Sequence, residues 1–378
     1  MKHKNKILFI IHDISNAGIE KVCLNLVAKL NDKIDIDLYL HAPKGINVFE
    51  DQLPDNINIF KEDKLRGKAL RFLKTIIWLI IYIRKNKPDI IFTFIPYTNM
   101  IVFFINLFFK FKHIATQHNL LTNDIAMLSG KSRIYNSFLW KFAFKRIKHL
   151  VVVSQSIKQD LIDNFHIEEN KIKVIYNSID YALISKLCKS KIDEPLSDYI
   201  LFVGRLEKQK AVDVLIKAFA KLIRSGNNYE MIILGEGTLE NELKSLAREL
   251  HCIDKIHFLG FRSNPYIYMK SAACLVLPSI FEGFGCVILE SMVCKTPVIA
   301  SNLEGPKEII ENNKNGYLFE LRNETQLAEK IDYIYKNKKS VDLITINATE
   351  TVKQYIDLED EYEKYFNLVL NEEKTYET

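Results

Sequence analysis

Short apolar runs alternate with amphipathic stretches from one end of the chain to the other. Lys6–His12, Ile34–His41, Asp89–Ile95, His113–Gln117, His149–Ser154 and Lys173–Tyr176 read as short buried strands. Glu20–Leu30, Gly67–Lys85, Ser132–Lys148 and Ser156–Phe165 read as the helices between them. The scheme then restarts, with strands expected at Tyr199–Val203, Met231–Leu234, Lys255–Leu259, Ala273–Leu277 and Pro297–Ala300. Strands that are apolar throughout and alternate with helices predict parallel sheets covered on both faces. Two such blocks predict two doubly wound α/β domains, with ligands at the carboxyl ends of strands. The less apolar stretch Asp180–Asp198, which contains Pro195, reads as the linker.

A chain of 378 residues also exceeds one comfortable core. Its 48% hydrophobic and 26% charged content excludes a mostly disordered or collagen-like chain. The net charge of +5 is unevenly placed: residues 1–150 hold 24 Lys and Arg against 12 Asp and Glu, and the remainder 28 against 35. A basic first half points to an anionic partner there. The six cysteines form no Cys-x-x-Cys pair and read as reduced, buried thiols. The apolar run Ile7–Ile11 is closed by Asp13, so the basic N-terminus reads as a first strand and not a signal peptide. No segment reaches the ~20 apolar residues of a spanning helix.

Nine of the 13 glycines lie in residues 204–316, and Gly204, Gly235, Gly260 and Gly283 each closely follow a strand. That placement suits tight turns or close backbone approach at one edge of the second sheet. The segment Leu277–Ser301 ends a strand at Pro278-Ser279, passes Glu282, and opens a helix at Gly283-Phe284-Gly285. Free N–H groups at a helix start form a phosphate seat. Glu282 and Glu290, eight residues apart, would lie roughly 12 Å apart along a helix axis, too far to share a proton or a metal. They suit opposite ends of an extended ligand, and Glu290 among Val287, Ile288, Leu289 and Met292 needs a defined partner. Arg205 directly follows a strand and Lys210 precedes the next helix, two cations suited to a diphosphate.

These segments resemble the retaining glycosyltransferases of the GT-B fold, the large "glycosyl transferases group 1" set. The resemblance rests on Gly204–Lys210, the Glu-x7-Glu pair within Leu277–Ser301, Leu234–Leu250, Lys255–Phe261, Val174–Asp180 and Gly305–Phe319. It covers the second domain nearly completely and the first in outline. It implies two Rossmann-like domains with an interdomain cleft, here residues 1–180 for the acceptor and 181–349 for the nucleotide sugar. The stretch Glu350–Leu370 would pack back on the first domain. By the same resemblance Arg205 and Lys210 clamp the donor diphosphate and Glu282 touches the transferred sugar. Gly283, Phe284, Gly285, Cys286 and Val287 offer backbone N–H groups, Glu290 holds the ribose hydroxyls, and Phe261 and Arg262 border the base. Gly18 occupies the glycine-rich loop facing the phosphates, and His118 matches the family's histidine near the reacting sugar. Two departures are Asn16-Ala17, where paired glycines are usual, and Lys210-Ala211, where Lys-Gly is usual.

The implied enzyme retains anomeric configuration, needs no metal or other cofactor, and moves a hexose or N-acetylhexosamine from a UDP-linked donor. Relatives of the resembled type point to a lipid-linked or lipopolysaccharide acceptor in bacterial surface polysaccharide synthesis. Other readings are an epimerase-like sugar-nucleotide enzyme of related fold, or a non-catalytic basic protein binding membrane or nucleic acid. The basic half carries no recognisable nucleic-acid module, so no nucleic-acid partner is expected. Asp35-Ile36-Asp37 has the Asp-x-Asp form of a metal motif but lies in an alternating strand, where both acids face one side. Gly235-Glu236-Gly237 lacks the third glycine of a dinucleotide fingerprint. Basic residues beside bulky apolar ones in Ile76–Ile83, Met100–Phe109 and Ser132–Lys148, with Trp140, Phe142 and Phe144, suit an anionic membrane surface. The expected location is cytoplasmic, peripheral on the inner face of the cytoplasmic membrane.

Overall fold

The structure, a computed structural model, describes residues 5–370 apart from 13, 15–17, 32–33, 42–52, 55, 63–67, 129, 191–197 and 357. It divides into one unit of Met1–Asn177 with Glu359–Thr378 and a second of Ser178–Leu358.

In the first unit the order is β1 (Lys6–Ile11), α1 (Gly18–Leu30), β2 (Asp35–Leu40), β3 (Asn58–Lys61), α2 (Lys68–Asn86), β4 (Ile90–Thr93) and α3 (Pro96–Asn106). There follow β5 (Lys112–Gln117), α4 (Leu121–Ala126), α5 (Gly130–Phe144), β6 (His149–Val152), α6 (Gln155–Phe165) and β7 (Ile172–Val174). The seven strands are parallel in the order β3-β2-β1-β4-β5-β6-β7, so the winding reverses between β1 and β4. The second unit runs α7 (Tyr181–Leu187), β8 (Tyr199–Val203), α8 (Val212–Arg224), β9 (Met231–Leu234), α9 (Glu240–Glu249), β10 (Ile256–Gly260) and α10 (Tyr266–Ser271). It continues with β11 (Ala272–Leu277), α11 (Cys286–Val293), β12 (Val298–Ser301), α12 (Glu304–Lys307), β13 (Tyr317–Phe319), α13 (Glu324–Lys336) and α14 (Lys338–Val352). Its six parallel strands follow the order β10-β9-β8-β11-β12-β13, reversing between β8 and β11.

Burial explains why these segments pack so. The central strands are buried on both faces, and helices cover them with one apolar stripe each. In α8, Val212, Leu215, Ile216, Phe219 and Ala220 are buried at helical spacing. A last helix, α15 (Leu358–Leu370), belongs from Glu359 onward to the first unit. Its Tyr365 and Val369 join the core cluster of β1 and β4, with the Tyr365 ring 6.0 Å from that of Phe92. Residues 350–356 remain in the second unit, so only part of the stretch Glu350–Leu370 lies with the first.

Several elements escaped the pattern. The stretch taken for a linker contains α7, because Asp180 Oδ1 accepts from the Leu183 N–H at 2.8 Å and caps a helix. The Cys188 thiol just after it sits 2.7 Å from that of Cys294. Pro195 lies outside the described residues. Of the six cysteines, five are buried and Cys286 is half-buried. Asp35 and Asp37 lie 3.6 and 3.1 Å from the Lys6 ammonium, and Asp37 accepts from Asn58 Nδ2 at 2.7 Å and from the Tyr82 hydroxyl.

In the basic half the expected stretches do carry exposed apolar side chains, but not the rings expected in Ser132–Lys148. Trp140 and Phe144 are buried, so these two rings face inward, and half-buried Phe142 stacks on half-buried Phe104 with centroids 6.1 Å apart. Within the three expected stretches the exposed apolar side chains include Ile77 and Ile81 on α2, Leu107 and Phe108 after α3, and Ile134, Tyr135 and Phe138 on α5, with Phe72 and Leu73 exposed earlier on α2. No helix among the described residues is long and apolar enough to cross a membrane.

Candidate donor site

The loops leaving β8, β9 and β10 are laced together by backbone hydrogen bonds: Leu206 N–H to Glu236 O at 2.9 Å, Gly235 N–H to Gly260 O at 2.8 Å, and Leu239 N–H to Leu206 O at 3.0 Å. Gly235 makes this possible. It adopts φ +132°, and a Cβ there would stand 1.9 Å from the Gly204 carbonyl oxygen.

Arg205 and Lys210 emerge from this platform. Arg205 is exposed and, among the described residues, its side chain makes no hydrogen bond or ion pair. Lys210 ends a short 3-10 turn, Lys208–Lys210, closed by Ala211 at φ +45°. The turn reaches across to the loop after β11, since Ile280 N–H bonds Gln209 O at 2.9 Å and Gln209 Nε2 bonds Phe281 O at 3.2 Å. These bonds bring two of the expected residues into contact: Lys210 Nζ lies 2.5 Å from Glu282 Oε2, with the side chains 15% and 13% exposed. Ser279 Oγ donates to the same oxygen at 3.1 Å. Glu282 is thus held by two donors, and Lys210 is already aimed at the loop that opens α11.

Gly285 is the N-cap of α11 at φ +94°, and no side chain caps the helix start. A helix left without a capping side chain presents its first N–H groups and the positive end of its dipole. Gly283 is backed by Gly305, where a Cβ would fall 2.3 Å from the Glu282 carbonyl oxygen. The Phe284 side chain is buried, its ring 5.5 Å from that of Tyr355, so only its backbone is available to a ligand. Cys286 and Val287 are half-buried in the first turn. One turn later Glu290 Oε1 accepts from the Tyr266 hydroxyl at 3.2 Å, the partner its apolar surroundings required. Phe261 N–H points to Glu236 Oε1 at 3.5 Å. Arg262 Nε donates to the Tyr268 hydroxyl at 3.2 Å, which fixes that guanidinium beside the β10 loop.

The first unit holds the remaining candidates. His118 follows β5, is buried, and its Nε2 lies 2.9 Å from Thr116 Oγ1. Burial pushes its pKa down to about 4, so the ring is neutral at pH 7 and serves as a hydrogen-bonding group. Gly18 is the first residue of α1, and Asn16-Ala17 lie outside the described residues. Among the described residues no three His, Cys, Asp or Glu side chains are arranged to hold a metal ion. Ser279, Gln209, Tyr266 and Tyr268 were not singled out in the sequence. Only Ser279, a polar residue at the end of an apolar strand, carried a signal of its own.

Two parallel doubly wound sheets, with cations, a carboxylate and an uncapped helix gathered at the ligand edge of the second, define a protein of the GT-B class. Solved structures agree on the fold. HepE of Anabaena, in complex with UDP and glucose, superimposes with TM-score 0.80 at 20% identity, covering 97% of this chain and 99% of that one. Sucrose-phosphate synthase of Thermosynechococcus elongatus gives 0.82 at 18% identity, covering 97% and 98%. Residues 189–351 match "Glycosyl transferases group 1", and residues 16–183 match "Glycosyltransferase Family 4". A Campylobacter jejuni relative is 30% identical over 88% of this chain and 93% of its own length. It is the N-acetylgalactosamine-N,N'-diacetylbacillosaminyl-diphospho-undecaprenol 4-alpha-N-acetylgalactosaminyltransferase. The O-antigen biosynthesis glycosyltransferase WclY of Escherichia coli is 26% identical, covering 88% and 90%. The chain belongs to the glycosyl transferases group 1 family and is a glycosyltransferase.

Proposed function

We propose that this protein is a retaining, metal-independent transferase that moves a hexose or N-acetylhexosamine from a UDP-sugar to a lipid-linked or lipopolysaccharide glycan of a bacterial surface polysaccharide. The observation that carries this reading is the Lys210–Glu282 contact beside the uncapped start of α11, with Arg205 exposed nearby. A leaving diphosphate carries the charge that Arg205, Lys210 and a helix start are suited to stabilise. Glu282 supplies a carboxylate for the sugar cation that develops as the anomeric C–O bond breaks. The acceptor oxygen then bonds to the same face, and its proton passes to the departing phosphate. Glu290 is read as the partner of the ribose hydroxyls, Phe261 and Arg262 as the border of the base, and neutral His118 as a hydrogen-bond partner of the sugar. Gly18, at the start of α1, is read as facing the phosphates. The UDP bound by HepE and the diphospho-undecaprenol in the name of the Campylobacter relative support the donor and acceptor classes.

The decisive experiment screens UDP-, GDP- and ADP-sugars for thermal stabilisation with EDTA present. A donor at 100 times its Kd adds about 2.7 kcal/mol. For a domain of this size that is a shift of roughly 5–10 °C. Stabilisation by a UDP-sugar in EDTA supports the reading, and an α-anomeric proton in the NMR spectrum of the product from an α-linked donor tests retention. No response to any nucleotide sugar overturns it. We also read the exposed apolar residues of α2 and α5 beside Lys74, Arg84, Arg133 and Lys141 as a peripheral contact with the cytoplasmic membrane's inner face. Co-sedimentation with anionic vesicles that is unchanged in an Ile134→Ser/Phe138→Ser protein refutes that part alone.

A further inference from the structure

The ligand edge of the first sheet carries a second cluster of polar and aromatic side chains. His12 follows β1, His41 follows β2, Glu62 follows β3, and Tyr97 sits in the first turn of α3 just beyond β4. These four strands are neighbours, and β1 and β4 flank the point where the winding reverses. Open α/β sheets take ligands at that point.

The floor of the cluster is polar and buried. The side chains of His41 and Glu62 are each 6% exposed, with His41 Nδ1 3.1 Å from Glu62 Oε2. The same oxygen accepts from the Tyr39 hydroxyl at 3.3 Å and from Thr75 Oγ1 at 3.4 Å. Glu62 Oε1, by contrast, is buried and has no hydrogen-bond partner among the described residues. A buried acceptor left unpaired is costly, and a ligand donor would recover that cost. The rim is aromatic: the Tyr97 ring lies 5.1 Å from that of His41 and 5.9 Å from that of Phe72, which is exposed.

This chemistry discriminates between ligands. The Glu62 carboxyl accepts a hydroxyl proton, and the Arg71 and Lys74 charges that act on it balance its own, which suits a neutral polar ligand. An aromatic face packs against the C–H groups of a pyranose, and convergent polar groups beneath a ring fix its orientation. Burial drives the His41 pKa down to about 4, so the floor offers a neutral imidazole beside the carboxyl.

We propose that His41, Glu62 and Tyr97 form a binding subsite for a neutral pyranose ring of the acceptor glycan, with Tyr97 as the stacking platform and Glu62 Oε1 receiving a ring hydroxyl. The assignment of that ring to the acceptor rests on the function proposed above; the subsite itself does not. The test is saturation-transfer NMR on the full chain with saturating UDP, using the methyl α-glycosides of glucose, galactose, N-acetylglucosamine and N-acetylgalactosamine as probes. At least one glycoside receives saturation, strongest at its ring C–H protons. Binding weakens at least tenfold in Tyr97→Ala, survives in Tyr97→Phe, and weakens several-fold in Glu62→Gln. Unchanged stabilisation by UDP shows that each variant is folded. A wild-type protein that binds none of the four glycosides, or a Tyr97→Ala protein that binds as well as wild type, overturns the proposal. Glycoside binding without any nucleotide-sugar turnover leaves the subsite standing and removes the transferase reading instead.

Discussion

Replacing Lys210 with methionine removes the ammonium while keeping an unbranched apolar stem, and it leaves Glu282 with the Ser279 hydroxyl at 3.1 Å. The partners are 15% and 13% exposed and 2.5 Å apart. The contact therefore falls between an exposed pair, worth at most ~1 kcal/mol, and a fully buried one, whose truncation costs ~3–5 kcal/mol. A loss of about 2 kcal/mol follows, or roughly 4–8 °C in Tm for a domain of this size. Pairing Lys210→Met with Glu282→Gln removes the stranded charge, so the double variant should recover part of that loss, with a coupling of ~1–2 kcal/mol. The assay is urea unfolding of the four proteins in the double-mutant cycle. Isothermal titration with UDP then reads the second role of Lys210. Losing one charge-assisted bond to phosphate, about 1.5–3 kcal/mol, weakens Kd roughly 10- to 150-fold. Stabilities that add to within ~0.3 kcal/mol would show that the pair does not exist in solution. An unchanged UDP Kd in Lys210→Met would refute the phosphate clamp.

Arg205→Ala should lower kcat/KM by roughly 10²–10³ and weaken donor binding, since an exposed guanidinium has its largest effect where diphosphate charge develops; kinetics against a UDP-sugar decide it, and near-normal values exclude Arg205 from the site. Glu282→Ala should lower kcat by at least ~10² with donor Kd changed less than tenfold, a split that steady-state kinetics and titration read together. Gly305→Ala should cost ~2 kcal/mol or more and weaken UDP binding, because its Cβ would stand 2.3 Å from the Glu282 carbonyl oxygen; wild-type Tm and Kd would show that the two loops have room to part. His118 and His41, each held down to about 4 from an ordinary 6.5, stay neutral while the unfolded chain takes up protons. Stability should therefore be intact above pH 6.5 and fall as pH drops toward 4, by up to ~3 kcal/mol per histidine. His118→Gln should flatten that loss in Tm measured against pH, and an unaltered slope would contradict a depressed pKa.

The central strands were legible because a strand covered on both faces must be apolar throughout, as Ile7–Ile11 and Met231–Leu234 are. Edge strands obey no such demand. β3, with the sequence Asn-Ile-Phe-Lys, mixes polar and half-buried apolar residues, so its sheet neighbour supplies what the segment lacks, whereas β13 is apolar and buried but only three residues long. Helix α7 was hidden by its own cap: Asp180 reads as a polar loop residue until its side chain is seen on the Leu183 amide. At the donor site the glycines and charged residues announced themselves by position after strands. That Lys210 and Glu282 touch did not, because 72 residues separate them and the loops are brought together by bonds of Gln209 to Ile280 and Phe281. The unusual alanine after Lys210 also acquires a cost: Ala211 holds φ +45°, where glycine sits freely and alanine bears roughly 1–2 kcal/mol. In the basic half, composition alone does not separate inward from outward side chains: Trp140 and Phe144 turn inward, while Ile134 and Phe138 of the same stretch face out.

The return of α15 to the first unit has a consequence for how the molecule is made. The core around Phe92 is completed by Tyr365 and Val369, which are synthesised only after the whole second unit. At about 5–20 residues per second, translation from Asn177 to Glu359 lasts on the order of ten to forty seconds. Throughout that interval the nascent first unit holds its strands without their closing helix, while every residue of the second unit is contiguous. The unit begun first is therefore the last that can be finished.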